Sequence, residues 1–238
     1  MTAILKINHL SKKYGRTQVL DRFTMELEKG KIHGLIGKNG EGKTTLIRII
    51  MGIIPKESGE IYYKGRLIRF GDTSYKKEIG YIAEDSVFFD WMTVTQFLAF
   101  NAAFYPRWNQ SQADAYLKRL SLSPKIRIKS MSRGMKLKLG LIAALASNPE
   151  ILLLDDPTSG LDVPTRQDFL NHMIGEIKAK GTTILFATHM VHELESIIQR
   201  LSILHNGRLI LDNDFLKIKK TQGKNHSIEE IFLKHVSE

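Results

Sequence analysis

The run Gly37-Lys38-Asn39-Gly40-Glu41-Gly42-Lys43-Thr44 satisfies the pattern G-x-x-x-x-G-K-[ST] at every position. Ile32–Ile36 before it reads as a buried strand, and Thr44–Met51 after it is apolar at helical spacing. A strand, a glycine loop and a helix in that order form a nucleotide-binding unit. Glycines at 37, 40 and 42 let backbone N–H groups converge on phosphate oxygens, where a Cβ would obstruct them. Lys43 can reach the β- and γ-phosphates, Thr44 offers a hydroxyl to Mg²⁺, and the helix start adds its positive end.

Outward from the loop, strands and helices alternate. Residues 4–10 and 18–27 are β-leaning runs around a turn at Gly15, and residues 60–70 read as a hairpin closed near Gly65. A strand is expected at Ile79–Ala83, and a mostly helical block fills 93–146, interrupted at Pro106 and Pro124. Ile151–Leu154 is a continuous apolar strand ending in Asp155-Asp156. A helix over about 164–180, a strand at Thr182–Ala187, a helix over about 191–199 and strands at Leu201–Leu204 and 208–211 follow. This alternation argues an α/β fold with a parallel sheet covered on both sides. One domain over 1–238 is expected, with a helical insert at about 85–146. Ile228, Ile231, Phe232 and Val236 recur at helical spacing in the closing stretch, 227–236, which reads as a helix docked on the main core. Phe97, Phe100 and Phe104 form a stripe of the kind that more often faces a core.

Composition bounds the rest. The 238 residues suffice for a core that needs no staples, burying roughly 70–75% of the unfolded surface. The absence of cysteine excludes a disulfide scaffold, thiol catalysis and cysteine-ligated metal. The longest strictly apolar run, Leu141–Ala146, is far below the ~18 residues of a membrane span. Met1–Tyr14 has no uninterrupted apolar segment, so a secretory signal is not expected and a cytoplasmic location is. A net charge of +10 points to a polyanion, whether nucleic acid, anionic lipid or nucleotide phosphate. From Lys118 to Lys138 there are eight basic residues and no acidic one. A carboxylate at the carboxyl end of a parallel strand, as Asp155 is, can hold Mg²⁺ water opposite Thr44.

Six motifs in sequence order now resemble one family, the ATP-binding subunits of ABC transporters. Tyr14 stands where that family stacks an aromatic on adenine, and Gly37–Thr45 resembles its Walker A loop. Ser132-Arg133-Gly134-Met135 resembles the signature loop, Ile151–Asp156 Walker B, Ser159-Gly160-Leu161-Asp162 the D-loop, and His189 the switch histidine. The resemblance implies a P-loop NTPase with a mixed core sheet, an antiparallel β subdomain and a helical insert. It implies ATP and Mg²⁺ as ligands, with Gly37, Asn39, Gly40, Gly42, Lys43, Thr44 and Thr45 around the nucleotide. Thr44, Asp155 and Glu84 are the implied metal ligands, and Asp156 and His189 the implied catalytic pair. Ser132, Gly134 and Asp162 would complete a site held by a second subunit, a copy of this chain or a paralogue. An integral membrane permease is the implied partner, holding the chain peripherally at the inner face of the plasma membrane; in this family the helical insert and Q-loop meet it, which implies that part of the Phe97, Phe100 and Phe104 stripe is exposed.

Three positions depart from the family pattern. Arg133 replaces the first glycine after the signature serine, Asp156 replaces the usual glutamate after Walker B, and Glu84 stands where the Q-loop carries glutamine. Residue by residue, alternatives stay open: Tyr14 as a core aromatic, His189 as a strand-end histidine, Glu84 as a solvated loop carboxylate. The function expected is an ATPase that powers transport through a separate membrane protein, with motifs closer to exporters than importers. The alternatives are a nucleic-acid- or ribosome-associated ATPase, disfavoured by the single cassette, and a nearly inactive nucleotide-gated partner of a paralogue.

Overall fold

The computed structural model describes residues 3–164, 166–167, 169–171, 181–190, 194–222 and 227–236. The chain divides into two compact units, Met1–Thr73 with Thr183–Glu238, and Ser74–Thr182.

In the first unit, β1 (Ala3–Tyr14) and β2 (Thr17–Glu28) pair antiparallel, and β4 (Ser58–Tyr63) and β5 (Arg66–Leu67) continue that sheet in the order β2-β1-β4-β5. Alternation places Leu5, Ile7, Met25 and Leu27 inward. The period then slips on each strand. Ile7 pairs with Met25 but Leu10 with Phe23, and Lys12 pairs with Leu20. His9 and Arg22, both at positive φ, are the extra residues. Each bulge reverses the facing of the residues beyond it, so Leu10 and Leu20 also point into the core. Hydroxyls on the opposite strand satisfy the bulged amides: His9 N donates to Thr24 Oγ1 at 3.0 Å and Arg22 N to Ser11 Oγ at 3.1 Å.

The second sheet of this unit runs β10-β9-β3-β8. β3 (Ile32–Ile36) and β8 (Thr183–Thr188) are buried at every residue and pair in parallel, and β9 (Arg200–His205) pairs in parallel with β3 on its other edge. β10 (Arg208–Asp214) returns antiparallel on β9 through the turn Asn206-Gly207, both at positive φ as an Asn-Gly hairpin requires. Helix α1 (Lys43–Ile50) follows the glycine loop and buries Leu46, Ile47, Ile49 and Ile50. The closing helix, Ile228–Val236, is present where expected, with Ser227 and Glu230 exchanging a reciprocal cap.

The second unit holds the parallel pair β6 (Ile79–Ile82) and β7 (Ile151–Asp155) and the helical block. Helices α2 (Val94–Ala102), α3 (Gln110–Arg119) and α4 (Arg133–Ala146) each start at a side-chain cap: Thr93 in a capping box with Gln96, Asn109, and Ser132. Gly80 lets α4 come close to β6, since a Cβ there would stand 3.3 Å from the Ala144 carbonyl oxygen.

Three expectations need correction. Residues 194–197 of the helix expected at 191–199 form a turn, and 191–193 lie outside the described residues, as do 172–180 of the helix expected at 164–180. A helix at Phe215–Gln222 stands where the sequence pattern predicts none. The phenylalanine stripe is core only in part: Phe97 is half-buried against Phe88, while Phe100 and Phe104 are 42% and 58% exposed, since Val94 and Leu98 are the buried residues of α2.

His33, fully buried on β3, sits beside an ion network in which Arg200 bridges Glu28 at 2.7 Å and Asp212 at 2.9 Å, and Lys31 bridges Glu28 at 2.7 Å. Glu28 N donates to His33 Nε2 at 3.0 Å, which leaves the ring proton on Nδ1, a buried atom without a partner among the described residues. Burial pushes the imidazole from 6.5 down to about 4. Charging it in the folded chain therefore costs about 3 kcal/mol. This contribution is complete above pH 6.5 and is lost as pH falls through 6.5 toward 4. Urea midpoints measured across that window should fall more steeply for the native chain than for His33→Gln; parallel curves would contradict the assignment.

Candidate nucleotide-binding site

In the first unit, the loop between β3 and α1 is shaped by absent side chains. A Cβ on Gly37 would stand 2.8 Å from the Leu204 carbonyl oxygen, and one on Gly42 the same distance from that of Val19. Gly42 also has φ +105°, and Gly40, in open space, has φ +85°. Two of the glycines thus admit neighbouring backbone, and the third permits the turn. Lys43 is buried, and its Nζ donates to Gly37 O at 2.7 Å and Lys38 O at 3.1 Å, so the ammonium lies across the inside of the loop. Thr44 and Thr45 follow in the first turn of α1, whose N-cap, Gly42, offers no side-chain acceptor to the first amides. Asn39 and Gly40 form the exposed crest of the loop.

Two further residues of this unit come to the same end of the sheet. Thr188 pairs with Ile36, so the exposed His189 leaves β8 beside the start of the loop. Tyr14 pairs with Thr17 at the tip of β1 and β2, two residues before Val19, which touches Gly42. It is 49% exposed, with Lys12 Nζ 5.4 Å from the ring centroid, so the core-aromatic alternative is removed.

In the second unit, Asp155 ends β7 and Asp156 follows, both buried. Leu154 pairs with Ile82, so the exposed Glu84 leaves β6 alongside them. Asp156 has φ +42°, a left-handed conformation that aspartate tolerates better than most residues. Its carbonyl accepts from Ser159 N at 3.1 Å, folding the chain into the loop that carries Gly160 and the exposed Asp162. Ser132 caps α4, its Oγ accepting from Met135 N at 3.2 Å; its hydroxyl proton is still able to donate. Gly134 stands in the first turn of that helix, half-buried. Among the described residues no group of three or more His, Asp or Glu side chains is arranged to hold a metal.

Two relationships have no signature in the sequence. Arg133, the departure within the signature loop, lays its guanidinium over Gly160, where any Cβ would overlap it. Glu41, a variable position of the glycine loop, accepts from His205 Nδ1 at 3.0 Å across 164 residues of sequence. Neither leaves a local pattern that spacing could reveal. Glu84, Asp85, Phe88, Arg133, Lys136 and Leu161 also line a cavity of about 320 Å³.

Residues 20–159 match the model of the ABC transporter family. An uncharacterized ABC transporter ATP-binding protein of Bacillus subtilis, YdbJ, is 36% identical over 211 residues, covering 87% of this chain and 68% of the relative. The bacitracin transport ATP-binding protein BcrA of Bacillus licheniformis is 31% identical, covering 94% of this chain and 74% of the relative. The lantibiotic transport ATP-binding protein SrtF of Streptococcus pyogenes is also 31% identical, covering 96% of each chain. Among solved structures, an ATP binding subunit of an ABC transporter superposes with a TM-score of 0.86 at 29% identity, covering 98% of this chain and 99% of that one.

The loop geometry makes two substitutions informative. Lys43→Ala removes the charged donor expected to meet phosphate, and should weaken binding of a fluorescent ATP analogue by about 10–100-fold. Gly37→Ala should weaken it comparably, because the obstructing atom is backbone. Unchanged affinity in both variants would remove the loop from nucleotide binding.

Proposed function

The chain belongs to the ABC transporter family as an ATP-binding subunit, an ATPase coupled to transport through a separate membrane protein, and from that premise we propose how its residues divide the work. The observation that carries the reading is the glycine arch between β3 and α1 with Lys43 spanning it.

Lys43 exchanges its two loop carbonyls for the β- and γ-phosphates, and the amides of Asn39 to Thr45 hold the phosphate chain. Tyr14 stacks on adenine, worth ~1–3 kcal/mol by analogy with base stacking. Thr44 and Asp155 would hold Mg²⁺, and Glu84 would supply a further oxygen donor. Mg²⁺ supplies neutralisation of charge on the phosphate oxygens when it is bound. Asp156 accepts the proton of the attacking water, and His189 donates a hydrogen bond to the γ-phosphate. Ser132 and Gly134, at the positive end of α4, meet the γ-phosphate of ATP held by a second chain, and Asp162 lies at that junction. Closure of two chains on ATP and reopening after hydrolysis drive the membrane partner.

The face offered to that partner is read from the exposed aromatics of the second unit. Phe89 lies 6.0 Å from Trp91 and 5.4 Å from Phe100, which lies 5.1 Å from Phe104, and all four are exposed. A patch of this kind suits burial against protein. Among the described residues no helix is long and apolar enough to cross a membrane, so another chain supplies the spans in this reading, with this subunit at the cytoplasmic face. The bacitracin and lantibiotic transport relatives support an antibiotic as cargo, and export is the direction to which the sequence motifs lean.

Asp156 gives the decisive variants. Asparagine keeps the tolerance for positive φ while removing the base, so Asp156→Asn should lower ATP turnover by about 10²–10⁴-fold. Asp156→Glu should also slow the enzyme, because a longer carboxylate from the same backbone is misplaced by about 1 Å, worth on the order of 10²-fold. If neither substitution changes the steady-state rate, Asp156 is not the base. With hydrolysis blocked by Asp156→Asn, ATP should convert the chain to a dimer by light scattering, and adding Ser132→Arg should prevent it. A chain still monomeric at saturating ATP would point to a paralogous partner.

A further inference from the structure

A carboxylate is an unexpected group in a loop that receives about four negative phosphate charges. Glu41 is nevertheless there, with its side chain only 12% exposed and both oxygens engaged. Oε1 accepts from His205 Nδ1 at 3.0 Å, and Oε2 accepts from the Asn206 backbone amide. Asn206 Nδ2 in turn donates to His205 Nε2 at 3.0 Å, so both ring nitrogens are satisfied with the proton on Nδ1.

The turn that Glu41 grips is itself fixed. Gly207 lies so close to β2 that a Cβ there would stand 2.7 Å from the Val19 carbonyl oxygen. Asp21 N donates to Gly207 O at 2.9 Å, and Arg208 Nε to Asp21 Oδ2 at 2.7 Å. The same Val19 carbonyl faces Gly42 at the other end of the loop. The loop is therefore pinned at Gly37 and Gly42 by close backbone contact, and between them the Glu41 carboxylate ties it to the His205-Asn206 turn.

We propose that Glu41 is a positioning residue for ATP binding, a brace whose two carboxylate oxygens lock the glycine loop to the His205-Asn206 turn so that its amides are set before phosphate arrives. The proposal rests on the ATP-binding reading above. The carboxylate is directed at two donors on the turn, which offset its charge. Holding the loop in advance lowers the ordering cost of binding, so the effect falls on affinity and not on the chemical step.

Charge and brace make opposite predictions, which decides between them. If Glu41 acted only as a negative charge near phosphate, both Glu41→Ala and Glu41→Gln would tighten ATP binding. As a brace, Glu41→Ala should raise the KM for ATP about 10-fold with kcat little changed. Glu41→Gln, which keeps one acceptor oxygen, should fall between Ala and wild type. His205→Ala should weaken binding less than Glu41→Ala does, and the double variant should be no worse than Glu41→Ala alone, since the two act as a pair. Amide exchange in nucleotide-free protein supplies the second readout: Glu41→Ala should speed exchange at Asn206 and across Gly37–Gly42. Tighter or unchanged ATP binding in Glu41→Ala, or unchanged exchange, would overturn the brace. Failure of the wild type to bind ATP would instead strike the functional reading, and the exchange comparison would still judge the brace.

Discussion

Everything at the nucleotide end of the first unit depends on backbone approaching backbone without an intervening side chain. The Val19 carbonyl is met by Gly42 from the phosphate loop and by Gly207 from the β9–β10 turn, and the Leu204 carbonyl is met by Gly37. These contacts bring β2 of the antiparallel sheet, the hairpin of the parallel sheet and the loop to one place. A methyl group at any of the three would push apart segments that have no flexible side chain to yield. With the loop so confined, Lys43 can be buried, because Gly37 O and Lys38 O receive its protons. The local constraint thus sets the electrostatics: a charge held against two backbone carbonyls, which in the proposed function it trades for phosphate.

The architecture around this point follows a simple rule. Strands buried on both faces, β3, β7 and β8, are short runs dominated by apolar residues, and these are legible as strands to within a residue. Long exposed strands are harder to read to their full length. β1 and β2 each run 12 residues, because paired bulges at His9 and Arg22 let the inward facing continue past the break in alternation. Arginine carries no signal of a positive φ, and histidine only a weak one. The helix Phe215–Gln222 carries FLKIKKTQ, too few apolar positions to show a period, with Leu216 exposed. The phenylalanine stripe of α2 misleads for the opposite reason. Its period is real, but only Phe97 is half-buried while Phe100 and Phe104 are exposed, and periodicity cannot say which side of a helix the core occupies.

The candidate site divides in the same way. Its motifs are legible because the chemistry is local: glycine spacing, a lysine at the helix start, carboxylates at the end of an apolar strand. Contacts that join distant segments are not. Arg133 reads in sequence as a lost glycine, yet its guanidinium covers Gly160, so the departure at one loop matches the bare backbone at another. Glu41 reads as a filler position, and its role depends on a turn 164 residues away. Asp156 reads as a shortened base, while its left-handed backbone suits aspartate better than the glutamate it replaces. In each case the residue makes sense only beside its three-dimensional neighbour.

In the proposed function two chains complete each ATP site, one supplying Lys43, Thr44 and Asp155, the other Ser132 and Gly134. Steady-state ATP turnover of the purified chain, measured across a wide range of chain concentration, tests this most directly. Turnover per chain should rise in proportion to concentration while monomers predominate, then level off as dimers fill. A turnover per chain that stays constant over the whole range would contradict the account.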